Sequence, residues 1–454
     1  MRHRSLAPFA VLASLALAAP IDAQRATSRP NVVLIMMDDL GYGDLGSYGA
    51  PDARTPNIDR LAREGVRLTD AYANGAVCTP TRAALMTGRY QQRYGLEWIL
   101  TPADSQAVLP VTGNSLPALL KANGYATSLV GKWHLGFRRD HGPRAHGFDE
   151  FFGFLEGARD YFVGGLLDDT TRVQPRGYLT DEITDRSVAF IERQRSAPFF
   201  LEVAYNAVHW PFQPPNRPPA DTTNRHGAGL RQLPTHSPSA TRAEYVEMLE
   251  RADEGVGKIL AALDRAGTTR NTLVIFTNDN GGEWLSRNAP FFHRKGTLWE
   301  GGIRVPLIMR WPAQLPAGTT SAQVALTMDV TASIIAATGT TPPPSYRPDG
   351  VDILPVLRGT MPIIERSVFW RLPPYMLPGT QAPTPRQQRA MRAGRMKLVV
   401  EGSDFLLFDL ASDPGERNDL AAQRPDVVRS MWAKLQEWEK DVDTERTSAS
   451  ASSR

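Results

Sequence analysis

Asn31-Val32-Val33-Leu34-Ile35-Met36-Met37-Asp38-Asp39-Leu40-Gly41 is an uncharged, almost wholly apolar run that ends at once in two carboxylates. Such a run predicts a strand buried on both faces, as in a parallel sheet covered by helices on each side. Its end places Asp38 and Asp39 at the carboxyl edge of the sheet, where open α/β folds bind their ligands. An isolated Asp-Asp pair is more often a solvated turn, so the weight of this one depends on what recurs downstream.

The pattern recurs several times. A helix opened by Thr55-Pro56, with Ile58, Leu61 and Ala62 on one face and Gly65 at its end, leads into a strand from Val66 to Tyr72. A helix around Leu116 to Lys121 precedes a strand from Tyr125 to Val130, followed by Gly131-Lys132-Trp133-His134-Leu135-Gly136. Ile183 to Arg193 and Pro198 lead into Phe199 to Tyr205, then Asn206-Ala207-Val208-His209-Trp210-Pro211. Met248, Leu249, Ala252, Val256, Ile259, Leu260 and Leu263 fall at helical spacing, Gly267 ends that helix, and Leu273 to Phe276 runs into Thr277-Asn278-Asp279-Asn280-Gly281-Gly282. Helices alternating with buried strands predict an α/β fold with a large, mostly parallel sheet sandwiched by helices. The polar ends of the strands should then converge along one edge. Arg304 to Trp311 reads as a further strand and Thr327 to Ala337 as a further helix. After Pro342-Pro343-Pro344 the pattern changes. Ser367 to Arg371, Ala390 to Ala393, Lys397 to Val400 and Leu406 to Asp409 are short strand candidates, and Val427, Val428, Met431, Trp432, Leu435 and Trp438 share one helical face. The expected division is residues 24–360 and a smaller unit at 361–446, with a Ser/Ala-rich, disordered tail at 447–454.

The only cysteine lies in Cys78-Thr79-Pro80-Thr81-Arg82-Ala83-Ala84-Leu85-Met86-Thr87-Gly88-Arg89. Pro80 suits a first helical turn, Ala83 to Met86 are good helix formers, and Gly88 can close the helix in a left-handed conformation. A thiol at a helix N-terminus is expected to have a lowered pKa and to face an anion site, with Arg82 adding a fixed positive charge. A buried structural cysteine is the competing reading.

At the N-terminus, Arg2, His3 and Arg4 precede an apolar run from Leu6 to Ala19 with small residues at Ala16, Ala18, Ala19 and Ala23. This is the pattern of a secretory signal peptide over residues 1–23, with cleavage after Ala23 expected and Ala18 the alternative. The expectation is an exported protein, periplasmic or secreted, without a membrane anchor. One cysteine in an exported chain excludes an intramolecular disulfide, and a chain of this length can bury enough core without one. A net charge of +3 points to no nucleic acid and no membrane surface. Only seven of the 51 basic residues are lysine, which draws the eye to any lysine inside a polar motif.

Asp38, Asp39, Asp279 and Asn280 offer hard oxygen ligands, and no Cys/His cluster has zinc spacing. Ca2+ is the expected ion, ahead of Mg2+. Arg82, Lys132 and Lys295 bring three positive charges to an anionic substrate group, while His134 and His209 can exchange protons near neutral pH.

Taken together, Asp-Asp-Leu-Gly, Cys-x-Pro-x-Arg, Gly-Lys-Trp-His-Leu-Gly, a His after the fourth strand, Asn-Asp-Asn-Gly and Lys295-Gly296 with Glu300-Gly301-Gly302-Ile303-Arg304-Val305-Pro306 resemble, in order, the motifs of the type I sulfatases, of the alkaline-phosphatase superfamily. The resemblance runs from Asn31 to about Leu420. It implies a small C-terminal antiparallel sheet with one helix, entered through Asp413-Pro414-Gly415-Glu416-Arg417-Asn418-Asp419-Leu420. It also implies that a maturation enzyme oxidises Cys78 to formylglycine, whose hydrate takes over the sulfate and then expels it. On this resemblance Asp38, Asp39, Asp279, Asn280 and the oxidised Cys78 hold the metal. Asp279 activates the nucleophile, Lys132 and Arg82 stabilise it, His134 assists elimination, and Lys295 with His209 binds a sulfate oxygen and protonates the leaving oxygen. The expected substrate is a sulfated carbohydrate attacked at an exposed sulfate, with aryl sulfates as artificial substrates. Pocket walls are expected from Glu97-Trp98, Arg159 to Phe162, Pro211 to Arg242, Trp284 to His293 and Leu372 to Gln388. A phosphomonoester or phosphonate-ester hydrolase of the same superfamily and a non-catalytic sulfated-glycan-binding relative are the two rival readings.

Overall fold

The computed structural model describes residues 29–102, 108–194, 197–217, 240–374 and 386–452. The expected signal peptide, most of the Pro-rich insertion after Pro211 and much of the stretch between Leu372 and Gln388 lie outside these residues. The strands, in chain order, are β1 (Asn31–Met37), β2 (Val66–Leu68), β3 (Ala71–Tyr72), β4 (Ala126–Lys132), β5 (Glu150–Phe154), β6 (Leu166–Asp168), β7 (Thr171–Val173), β8 (Phe199–Ala204), β9 (Thr272–Asn278), β10 (Leu307–Arg310), β11 (Thr319–Ser321), β12 (Ala325–Leu326), β13 (Ser367–Leu372), β14 (Gln388–Ala393), β15 (Met396–Glu401) and β16 (Asp404–Asp409).

Ten of them form one mixed sheet in the order β11-β2-β10-β9-β1-β8-β4-β5-β6-β7. Its central strands β9, β1, β8, β4 and β5 run parallel, and β10 joins antiparallel to β9. The period-two alternation of β1 sorts its side chains between two cores. Val33, Ile35 and Met37 pack with the helices Pro56–Glu64, Leu179–Arg193 and Arg242–Arg265. Val32, Leu34 and Met36 pack with Cys78–Thr87, Leu116–Ala122 and Thr327–Thr338. The continuous apolar run is thus explained by burial on both faces.

β13 to β16 form a separate antiparallel sheet, and the last helix covers it through Met431 and Leu435 against Met391, Leu398, Val400 and Leu407. Met431 and Trp438 of that helix are core, and Trp432 packs half-buried beside them. A third cluster, with Trp370, Leu298, Ile303 and Tyr72 at its centre, joins the two sheets.

Three expectations are corrected. Val66 to Tyr72 is not one strand, because Thr69-Asp70 breaks it into β2, in the main sheet, and β3, which pairs with β12. β10 is shorter than the Arg304-to-Trp311 run. Arg304 follows the short helix Glu300–Ile303 and forms an isolated antiparallel bridge with Tyr72 of β3, its side chain held by the Thr69 carbonyl and Glu300, so β10 begins only at Leu307. The last helix spans Pro425–Ser452 and so runs through most of the segment expected to be disordered; that segment contains no Gly or Pro to stop it. Among the described residues no helix is long and apolar enough to cross a membrane.

Candidate active site

The parallel strands deliver their polar ends to one place. β1 ends at Met37, so Asp38 and Asp39 follow directly; β4 ends on Lys132 itself; β9 ends one residue before Asp279. Gly131 explains how Lys132 gets there: at φ 122° a Cβ on it would lie 1.9 Å from the Ala204 carbonyl oxygen of β8, so only glycine permits this pairing. A second close approach fixes the neighbouring loops, since a Cβ on Gly281 would fall 2.0 Å from the Gly301 carbonyl oxygen.

The helix Cys78–Thr87 begins at the cysteine, as expected, and ends in Gly88 at φ 65°. Cys78 is buried, with Sγ 3.6 Å from Asp38 Oδ1. The expected lowering of the thiol pKa does not hold. Burial pushes the thiol above its ordinary value, and Lys132 and Lys295 only partly oppose that. A helix N-terminus lowers a thiol pKa where water still reaches it, and here water does not.

The structure brings all the expected site residues into one buried cluster. Arg82 donates from Nε and Nη2 to Asp279 Oδ2 at 3.1 and 2.8 Å, and from Nη1 to the Lys132 carbonyl at 3.2 Å. Lys132 Nζ lies 2.5 Å from Asp38 Oδ2. Lys295 Nζ lies 2.7 Å from Asp39 Oδ1 and 3.5 Å from Glu283. Asn280 Nδ2 donates to Asp39 Oδ1 at 2.7 Å, leaving its own Oδ1 buried without a hydrogen-bond partner. Asp279 Oδ1 faces the Asp39 amide at 3.5 Å.

The two neighbouring carboxylates are driven apart in their proton affinity. Burial, then the adjacent Asp279, raises Asp38 to about 8 against the pull of Lys132. Burial works in the same direction on Asp39, but Lys295 and His209 overcome it and hold that carboxyl below its usual range.

The histidines can be assigned tautomers from their partners. His134 Nε2 lies 2.9 Å from the Leu100 carbonyl oxygen, which can only accept, so Nε2 carries the proton and the unpartnered Nδ1 holds the lone pair. Burial and then Lys132 hold His134 well below its ordinary pKa. His209 Nδ1 donates to the Trp210 carbonyl at 2.6 Å, which turns Nε2 towards Asp39 Oδ2 at 3.5 Å. Burial lowers this imidazole to about 3, even though Asp39 works against the shift. Asp39 and His134 adopt φ of 63° and 59°, a left-handed conformation unusual outside glycine.

Asp38, Asp39, Cys78 and His209 place one ligand atom each within 4.8 Å of one another. His209 was not among the expected ligands. Asp279 and Asn280 are at the same place but directed differently, with one Asp279 oxygen held by Arg82 and the Asn280 amide nitrogen turned to Asp39. Sequence reasoning missed Glu283, which sits beside Lys295, because a lone Glu in a Gly-rich loop reads as solvated. It also missed Glu202 on β8, a carboxyl that burial raises to about 7 with Arg82 opposing, since its strand position reads as core.

Comparison with known proteins gives this arrangement a family. Residues 30–340 match the Sulfatase family model, and residues 289–441 match the model for the N-sulphoglucosamine sulphohydrolase C-terminal region. The chain is 33% identical to N-acetylgalactosamine-6-sulfatase of Mus musculus over 87% of its own length and 83% of the relative's. It is 32% identical to steryl-sulfatase of the same organism, over 91% and 82%. The crystal structure of Ps i-CgsB in complex with k-i-k-neocarrahexaose superposes with a TM-score of 0.80 at 29% identity, covering 91% of this chain and 93% of that one. The chain therefore belongs to the sulfatase family, and it is an enzyme of the sulfuric ester hydrolase class.

Proposed function

We propose that this sulfatase is exported and removes sulfate from a sulfated carbohydrate, acting at an exposed sulfate and using a formylglycine derived from Cys78 beside a bound Ca2+. The observation that carries the reading is the buried cluster itself: three carboxylates and three fixed cations around one thiol that its surroundings make a poor nucleophile. A raised thiol pKa suits neither attack nor metal binding, and sulfur is a soft donor among hard oxygens. An oxygen function at the same carbon suits both.

The donors fit a calcium ion. Asp38 and Asp39 would hold it with Asp279, and the unpartnered Asn280 Oδ1 is a further hard oxygen. When bound, the ion would draw negative charge out of a sulfate ester, and the hydrated aldehyde would supply one hydroxyl to receive the sulfate and another whose deprotonation releases it. The remaining work falls to the chain's own side chains. Lys132, Arg82 and Lys295 meet the charge that develops on the sulfate oxygens from preset positions, which is usually the largest contribution to such catalysis. His134, with its Nδ1 lone pair, is placed to take up a proton. A bound anionic ester raises His209 back towards its protonated form, so that it can share with Lys295 the protonation of the leaving oxygen.

Support for a carbohydrate comes from relatives whose names or bound ligands are sugars. The steryl-sulfatase relative supplies the contrary case, so a panel decides. Sulfate release from sulfated galactosamine, glucosamine, galactose and fucose derivatives should exceed release from steroid and aryl sulfates in kcat/KM. A steroid sulfate turned over best would contradict the reading. Removing divalent ions with a chelator should abolish release, and Ca2+ should restore it better than Mg2+.

A further inference from the structure

Beside the catalytic cluster lies a cleft of about 580 Å³ lined by Glu283, Trp284, His293, Arg294 and Arg417, among others. Glu283 borders both, because its buried Oε2 lies 3.5 Å from Lys295 Nζ while the residue also lines the cleft. Two parts of the chain build it. The loop after β9 supplies four of these residues, and Arg417 comes from the turn after β16, in the C-terminal unit. That turn packs on the loop: a Cβ on Gly415 would meet both the Pro290 carbonyl oxygen and Arg417 Nε at 3.3 Å.

Its chemistry is that of a sugar and an anion. Trp284 is 51% exposed, which is high for so large an aromatic, and the Arg294 guanidinium lies 5.5 Å above its ring. An indole of which half remains open offers a flat apolar surface to the C–H face of a pyranose. Among the described residues neither Arg294 nor Arg417 forms a salt bridge, although Arg294 lies within electrostatic reach of the Glu283 carboxylate. Two guanidiniums facing one cleft with a single carboxylate between them and the catalytic site leave a positive surplus, matched by a carboxylate or sulfate on the ligand.

We propose that this cleft binds the sugar next to the one that loses its sulfate, and that this neighbour carries an anionic group held by Arg294 and Arg417 while Trp284 stacks on its ring. The proposal rests on the carbohydrate reading given above. It makes the C-terminal unit part of substrate selection. The enzyme should then discriminate by the charge of the neighbouring sugar as well as by the sulfate it cleaves.

The test compares disaccharides that carry the same scissile sulfate and differ only in the neighbour: neutral, sulfated or a uronate. Wild-type protein should favour an anionic neighbour by about tenfold or more in kcat/KM, the preference shrinking as salt is raised. The relative rates of the sulfated and uronate substrates identify which anion the cleft takes. Arg417→Glu should erase the preference, Arg417→Lys should keep part of it, and Trp284→Ala should weaken all three disaccharides relative to an aryl sulfate. A wild-type enzyme indifferent to the neighbour, or an Arg417→Glu variant that slows every substrate alike, overturns the proposal. Calorimetric binding of the desulfated disaccharides to Cys78→Ser protein separates this from the sulfatase reading. Arg417-dependent binding without sulfate release from any ester would uphold the cleft and sink the proposed reaction.

Discussion

Among the described residues, two buried ionic clusters of similar make-up differ in how completely their groups are paired. The second lies where the two sheets meet. There Lys397 bridges Glu300 and Glu416 at 2.9 and 2.8 Å, Arg304 pairs with Glu300 at 2.6 Å and with Asp70 at 3.1 Å, and Arg392 pairs with Asp70 at 2.6 Å. Three cations face three carboxylates, and the Tyr72 hydroxyl fills a remaining place on Glu300. The cluster at the strand ends sets Arg82, Lys132 and Lys295 against the buried Asp38, Asp39 and Asp279, with the partly exposed Glu283 beside Lys295. It also leaves Asn280 Oδ1 and His134 Nδ1 unpartnered and holds Asp39 and His134 in left-handed backbone. A closed set of charges fixes the relation of two sheets; an open set awaits a cation and an anion.

Substitutions should separate the two. Replacing Cys78 with Ala should lower sulfate release by at least about 10⁴-fold, because the proposed nucleophile is lost. Stability, read by urea unfolding, should change by no more than about 1 kcal/mol. Equal losses of fold and turnover would erase the distinction between the clusters. Lys397→Ala should do the reverse. It leaves Glu300 and Glu416 without their shared cation and should cost about 3–5 kcal/mol, with Lys397→Met milder than Ala.

Lys295→Ala should lower kcat/KM by about 10²–10³-fold while destabilising the fold less than Lys397→Ala, since Asp39 keeps the Asn280 amide. A Lys295 variant as unstable as the Lys397 variant would show that the catalytic cluster also holds the fold together.

The smallest effect concerns Glu202, which lies beneath the catalytic cluster and has only Arg82 to offset its burial. Burial holds its folded pKa at about 7, above the ordinary range of a glutamate, so the native state keeps a proton that the unfolded state releases. The stability this contributes is complete below the unfolded value and is lost as pH rises through about 7. Glu202→Gln should therefore stabilise the protein by up to roughly 3 kcal/mol above pH 7, with the gain shrinking as pH falls and vanishing only below about pH 4.5. A pH-independent difference in unfolding free energy would contradict it.

Much of this was legible in the chain. β1 could be read because burial on both faces leaves an uninterrupted apolar run, and Asp38-Asp39 because charge begins where the sheet stops. The scarcity of lysine was a useful pointer for the same physical reason in both clusters: Lys132, Lys295 and Lys397 are all buried and paired. It could not tell Lys132 and Lys295, at the strand ends, from Lys397, between the sheets, since that depends on which partners the fold brings from distant segments. The thiol was misjudged because a local rule, the helix N-terminus, lost to burial set by the whole fold. The cleft at Trp284 and Arg417 joins residues more than a hundred positions apart, which no periodicity reveals.

The most direct test of the central claim is mass spectrometry of the peptide spanning Ala76 to Arg82, from protein made in a host that has the maturation enzyme and assayed for sulfate release in the same preparation. Conversion of the Cys78 thiol to an aldehyde predicts a peptide lighter by about 18 Da, in proportion to activity. An unmodified thiol in fully active protein would contradict the account.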